Sequence, residues 1–269
     1  MIDASGMGGP GRRVTAPDFL VRHAENFASS GAAAVPARPA ATVVLLRQPF
    51  EAYLVRRAST MRFAPGMYAF PGGGVDPRDA SADLRWTGPD AAGWGYRLGL
   101  PEAEARAIVC AAVREVFEES GVLLAGTDAS TVVRDVSTVE WEAARAAVQS
   151  REIGFADLLS ARGLVLRGDL LAPWARWITP DFEPRRFDTF FFLARLPEGQ
   201  VTRDVGGEAE HRVWRAPGEV ADLPKLPPTA VTLAQLSGYA GVDEVMAAAL
   251  GAGPLTPIQP RIENGQFLY

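Results

Sequence analysis

The chain has 269 residues, 48% hydrophobic and 22% charged, with a formal net charge of −5. That composition suits a soluble globular protein with ample length for a core, and the acidic balance offers no basic footprint for nucleic acid. A single cysteine, Cys110, excludes an intrachain disulfide, two histidines exclude a histidine-rich zinc site, and no apolar run approaches the ~18 residues of a membrane helix.

Residues 1–38, rich in Gly, Ala, Ser and Pro, read as a flexible leader with a short helix over 17–29. Gly6, Gly8 and Gly11 spell G-x-G-x-x-G, but no strand precedes them and Pro10 falls inside, so a dinucleotide fingerprint is not expected. The first residues, MIDASGMGGPGRRV, lack the apolar stretch of a secretory signal, which makes a cytoplasmic location the expectation. ATVVLLRQ (41–48) and EAYLVRRA (51–58) are β-rich runs around a short break, a pattern that predicts a hairpin. GMYAFPGGGVDPRD (66–79) reads as a strand and a glycine-rich turn. Residues 80–101, with Trp86 and Trp94, show no clean period and read as a long structured insertion.

From Glu102 to Ser120 the pattern is helical. Ala105, Ile108, Val109, Ala112, Val113 and Val116 make one apolar stripe, and Gly121 is placed to end it. VLLAG (122–126) follows as a strand, and residues 138–163 read as helical. LAPWARWITP (171–180), residues 185–196 and EHRVWRA (210–216) are strand-like; residues 217–250 give two or three short helices and 251–269 an irregular tail. The order predicts an α+β fold, an α/β/α sandwich around a mixed β-sheet. The expected division is a leader over 1–38, a catalytic domain over 39–216 with its insertion, and a helical extension over 217–269 packed on the same domain.

Glu115, Glu118 and Glu119 crowd one helical turn, although like charges at i,i+4 destabilise a helix by roughly 0.2–0.5 kcal/mol per pair. They border the apolar stripe, where a carboxylate is partly desolvated and must be paired, protonated or metal-bound. Three carboxylates suit a hard divalent cation such as Mg²⁺ or Mn²⁺, and Arg114 can hold Glu118 at i+4. A solvated face with an Arg–Glu pair is the alternative, and this turn by itself leaves both open.

The surrounding pattern is more specific. R-E-V-F-E-E-S-G-V (114–122) resembles the R-E-U-x-E-E-x-G-U half of the Nudix box, U being a bulky aliphatic, and Phe70-Pro71-Gly72-Gly73 resembles the family's F-P-G-G turn. Five residues after Gly73 stands Asp79 where the box has Glu, and 34 residues (80–113) precede Arg114 where it has seven. The box is therefore read as split by an insertion of about 27 residues. The resemblance implies a Nudix fold and a Mg²⁺- or Mn²⁺-dependent hydrolase of nucleoside diphosphate derivatives. It implies Glu115, Glu118 and Glu119 as metal ligands with the carbonyl of Gly72, and Arg114 as the residue that orients the glutamates. It also implies a further ligand or base before a late strand, Glu208 in preference to Glu210.

The stretch LVRRASTMRFAPGMYAFPGG (54–73) is similar to the signature of coenzyme A diphosphatases. Arg57, Ala58, Arg62, Gly66 and Phe70–Gly73 stand in register, and Val55 replaces a threonine. Arg57, Arg62 and Gly73 are thereby implied to bind substrate. Arg185 and Arg186 are added as phosphate clamps, the alternative being a strand-end pair tied to Asp181, Glu183 or Asp188. Trp86 and Trp94 either wall a pantetheine channel or form a small satellite core. The split box and residues 177–194 resemble the peroxisomal-type coenzyme A branch, although Phe267-Leu268-Tyr269 is no peroxisomal address.

The implied reaction converts coenzyme A or acyl-coenzyme A to 3′,5′-ADP and a 4′-phosphopantetheine. ADP-ribose, NADH or a nucleotide sugar is the alternative substrate, and a non-catalytic ligand-binding regulator the alternative of another class. The expected partner is a small nucleoside diphosphate derivative of the coenzyme A type, with neither nucleic acid nor membrane; a homodimer is compatible with the reading.

Overall fold

A computed structural model of the chain describes residues 13–15, 18–61, 64–81, 84–205 and 209–269. It opens with a strand, β1 (Arg13–Thr15), and a helix, α1 (Asp18–Ser30). Next comes the expected hairpin, β2 (Arg38–Arg47) and β3 (Glu51–Arg57). Successive side chains of a strand face opposite ways, and both directions are used. Ala41, Val43, Leu45, Tyr53 and Val55 enter one core, while Val44, Leu46, Ala52 and Leu54 enter another. The short strands β4 (Tyr68–Ala69) and β5 (Gly72–Gly74) pair with β3 and β2 respectively.

After a 3-10 turn over Pro77–Ala80 come β6 (Trp86–Thr87), α2 (Ala91–Leu98), α3 (Glu102–Ser120), β7 (Ala125–Gly126), α4 (Val139–Gln149) and α5 (Phe155–Ala161). The strands β8 (Val165–Arg167), β9 (Leu171–Ile178), β10 (Phe187–Arg195) and β11 (Ala209–Arg215) follow, then α6 (Pro227–Leu236) and α7 (Val242–Gly251). The chain ends through β12 (Pro257–Ile258), β13 (Arg261–Glu263) and β14 (Gln266–Leu268).

The main sheet runs β11-β3-β2-β10-β9-β12. At its centre β2 and β10 are parallel, with Phe187 opposite Arg38 and Arg195 opposite Leu46. A parallel pair is covered on both faces and so reads as continuous apolar sequence, as TVVLL and FFFLA do. The helices α2, α3, α4 and α5 pack on one face and α6 with α7 on the other. This is the expected α/β/α sandwich.

The structure refines the reading of the insertion, its tryptophans, the tail and the leader. The insertion contains a helix, α2, whose N-cap Asp90 accepts from the Gly93 N–H at 2.8 Å. Two internal glycines had hidden its period. Trp94 on that helix is fully buried and meets Phe192 edge-to-face, so it belongs to the main core rather than to a channel wall or a satellite. Trp86 lies under the Arg106 guanidinium, 4.4 Å from its ring centre.

The tail is not irregular: β12 lengthens the main sheet beside β9, and β13, β14 and β1 form a small antiparallel sheet. Within the expected leader, residues 13–15 form β1 and the short helix expected over 17–29 is α1, while the glycine triplet Gly6, Gly8 and Gly11 lies outside the described residues. No helix among the described residues is long and apolar enough to cross a membrane.

Candidate active site

The apolar stripe of α3 is buried against the sheet from Ala105 to Val116, and Gly121 closes the helix at φ 70°. About two turns before that end, Arg114 is 8% exposed and donates to three carboxylates. Its Nη1 reaches Glu115 Oε1 at 2.7 Å and Glu118 Oε1 at 3.0 Å. Its Nε and Nη2 each lie 2.9 Å from Asp79, on Oδ1 and Oδ2, and Nη2 also donates to the Gly74 carbonyl at 2.8 Å. Asp79 is 2% exposed and accepts the Asp76 N–H at 2.8 Å as part of a capping box on the 3-10 turn.

The two halves of the divided box are joined here. The turn starting at Asp76-Pro77 carries Asp79 back beneath α3, so that an aspartate stands at Arg114 where the box has a glutamate. The sequence reading counted Asp79 only as a departure. The available signal was the turn itself, D-P-R-D, with proline at its first position and an acid at its third.

The glycine turn supplies the opposite wall. The Gly72 N–H donates to Glu119 Oε2 at 3.1 Å. A Cβ at Gly72 would lie 2.3 Å from Thr42 Oγ1 and 2.5 Å from the Ala41 carbonyl, and one at Gly73 would lie 2.6 Å from Glu115 Oε1. Bare backbone is therefore required at Gly72 for β5 to lie on β2, and at Gly73 any side chain would displace the Glu115 carboxyl.

Between them is a cavity of about 400 Å³, bordered by Gly72–Gly74, Glu115, Glu118 and Glu119 and, from the sheet, by Arg57 and Arg212. Burial pushes the Glu115 carboxyl up to about 7 in spite of Arg114, and burial likewise raises Glu118. Burial also works against the charge on Arg114, but its bonds to Asp79 and the charge of Glu115 hold it above its ordinary value.

Asp79, Glu115 and Glu118 thus share one guanidinium, so carboxyl groups outnumber it on this wall. Oxygen donors in that number, partly desolvated, fit a hard divalent cation. Among the described residues no three acids already converge on one point; Arg114 draws Glu115 and Glu118 to itself and the Gly72 N–H draws Glu119.

The other expected residues divide. Arg57 borders the cavity, whereas Arg62 and Glu208 lie outside the described residues. Glu210 is exposed and accepts from both the N–H and the hydroxyl of Ser59 at 2.8 Å, which hold its carboxyl below the usual range. Arg185 is exposed.

Arg186 is corrected from phosphate clamp to fastener. Its guanidinium donates to the carbonyls of Thr179 (3.0 Å) and Val35 (2.8 Å) and pairs with Asp181 at 2.6 Å. It ties the β9–β10 hairpin to the segment entering β2. Arg212 and Gln149 are among the cavity residues that were missed. Arg212, paired with Asp204 at 2.6 Å, reaches the site because β11 places it opposite Val55 of β3, a register no local pattern displays. Gln149, at the end of α4, gave no sequence signal.

A family model described as the NUDT19 Nudix domain matches residues 94–228, half of the chain. The chain is 25% identical over 236 residues to the acyl-coenzyme A diphosphatase NUDT19 of Xenopus laevis, covering 73% of this chain and 62% of that protein. Against the protein of that name from Homo sapiens it is 27% identical over 248 residues, covering 75% and 64%. It spans less than two thirds of the length of either relative.

A crystal structure of a Nudix hydrolase from Alicyclobacillus acidocaldarius matches with a TM-score of 0.66 at 29% identity, covering 83% of this chain and 99% of that one. The family match begins at Trp94 and so takes in Arg114–Val122 but not Phe70–Gly73; the Asp79–Arg114 pair is what unites the two. The chain belongs to the Nudix hydrolase family and resembles its coenzyme A diphosphatase branch.

Proposed function

We propose that the protein is a Mg²⁺- or Mn²⁺-dependent diphosphatase that cleaves coenzyme A or acyl-coenzyme A to 3′,5′-ADP and the corresponding 4′-phosphopantetheine. The observation that carries this reading is the excess of buried carboxylate over guanidinium on one wall of a cavity whose facing wall is bare glycine backbone. Glu115, Glu118 and Glu119, with the Gly72 carbonyl, would hold the cation. Such an ion neutralises the diphosphate and lowers the pKa of a bound water.

The chain's own groups do the rest. Arg114 fixes the side chains of Glu115 and Glu118 relative to each other and to β5. Glu208, from the segment entering β11, is assigned the water's proton. Arg57 and Arg62 are assigned the phosphates, for which a planar guanidinium offers paired donors. The identity of the substrate rests on the coenzyme A signature over residues 54–73 and on the names of the NUDT19 relatives.

A panel of coenzyme A, acyl-coenzyme A, ADP-ribose and NADH, assayed with Mg²⁺ and with Mn²⁺ and with product identification, tests the reading. Release of 3′,5′-ADP from a coenzyme A species, faster than hydrolysis of the others, is expected. Preferred cleavage of ADP-ribose or NADH would replace the substrate assignment, and no hydrolysis at all would remove the enzymatic one.

A further inference from the structure

Gln149, an exposed residue at the end of α4, borders the cavity, and a buried arginine holds it there. Arg145 is 3% exposed. Its Nη1 donates to the Glu118 carbonyl at 2.8 Å and to Gln149 Oε1 at 3.0 Å. Its Nη2 donates to the Val205 carbonyl at 3.1 Å and to Glu142 Oε1 at 2.6 Å. A single side chain therefore locks the acidic turn of α3, the end of α4 and the segment leading to β11 in one arrangement.

Arginine offers donors only. The Gln149 atom it meets must be the amide oxygen, so the amide N–H₂ is the limb left over, and it has no hydrogen-bond partner among the described residues. Gln149 borders the main cavity and also a smaller adjoining one of about 100 Å³, and Glu115 and Glu118 border both. A neutral amide held with its donors outward can meet an anionic oxygen beside these carboxylates without adding to their charge. With its oxygen clamped, it cannot turn an acceptor toward the same ligand.

We propose that Gln149 is a substrate-binding residue that selects for an anionic phosphate oxygen, and that Arg145 is the positioning residue that orients its amide. The ligand class, a nucleoside diphosphate, rests on the diphosphatase reading above.

The test is calorimetric binding of ADP with Mg²⁺ to the full chain, beside thermal melting and the hydrolysis panel. Gln149→Glu keeps an oxygen for Arg145 but loses the donors. It should weaken ADP about tenfold or more, the effect of losing a hydrogen bond to a charged group, with the melting temperature unchanged. Gln149→Ala should weaken ADP in the same direction. Arg145→Lys should weaken ADP in the native background but not in Gln149→Ala, since a positioning residue acts only through the group it positions.

ADP affinity of Gln149→Glu within twofold of native would overturn the proposal, as would a native protein that binds no ADP. Equal losses from Arg145→Lys in both backgrounds would overturn the positioning role. If ADP binding depends on Gln149 while no panel substrate is cleaved, the diphosphatase reading fails and this one stands. If coenzyme A is cleaved and Gln149→Glu changes neither KM nor ADP affinity, the reverse holds.

Discussion

The layer on the α3 face of the main sheet and the layer on its α6–α7 face are built of similar apolar side chains, yet they hide different polar atoms. The first buries Asp79, Arg114, Glu115 and Arg145. In the second, α6 buries two hydroxyls, of Thr229 and Thr232, and α7 buries apolar residues alone. Burying an ionised group is costly unless it is paired and hydrogen-bonded. A fold that gathers four such groups in one layer, around a cavity, marks that layer as the working one. The other layer encloses.

The contrast breaks first at Arg114. Replacing it by methionine keeps apolar volume but leaves Asp79, Glu115 and Glu118 without the guanidinium they share. Stability in urea should fall by about 3–5 kcal/mol. A loss below about 1 kcal/mol, the range of surface pairs, would show these acids to be solvated and dissolve the distinction between the layers. Glu118→Gln is the milder cut. It removes a charge that burial already disfavours, so folding should be retained, while hydrolysis drops by at least about 10²–10³-fold. Near-normal turnover in that variant would sink the active-site assignment.

On the enclosing layer the expected pattern inverts. Val245, fully buried on α7, packs in the apolar cluster with Trp174 and Leu233. Val245→Ala should cost about 2 kcal/mol of stability and leave kcat unchanged. A comparable fall in kcat would mean that this layer is coupled to the chemistry. A smaller effect separates the layers by linkage. Mg²⁺ at ten times its dissociation constant should stabilise the native protein by about 1.4 kcal/mol. Glu118→Gln should abolish that shift, whereas Val245→Ala should retain it; the same Mg²⁺ shift in both variants would detach the ion from the acidic turn.

What the sequence made legible follows from the range of each interaction. The helix α3 could be read in full, since its stripe and its closing Gly121 are spaced within single turns. The paired faces of β2 and β10 were legible as apolar runs. The Asp79–Arg114 pair was not, because 34 residues intervene and closure depends on where a 3-10 turn points a carboxylate. Arg212 depends on strand register, and Arg186 on carbonyls at Val35 and Thr179 that no side-chain pattern reports. The strands β12 to β14, of two or three residues each, are too short to show a period. Gln149 became visible only once Arg145 was seen to fix which end of its amide is free.

The smallest change tests the enclosing layer most directly. Thr232 on α6 is fully buried, and its hydroxyl has no hydrogen-bond partner among the described residues. A buried polar atom left unsatisfied carries its desolvation penalty uncompensated. Valine has nearly the same shape and a similar helix propensity, so Thr232→Val exchanges that hydroxyl for a methyl with little repacking. It should raise stability by up to about 1 kcal/mol without touching activity. Around Arg114, deleting a polar group breaks a network of hydrogen-bonded ion pairs; here it removes a liability. A clear destabilisation by Thr232→Val would mean that the hydroxyl has a partner such as an enclosed water, and that the enclosing layer is not dry.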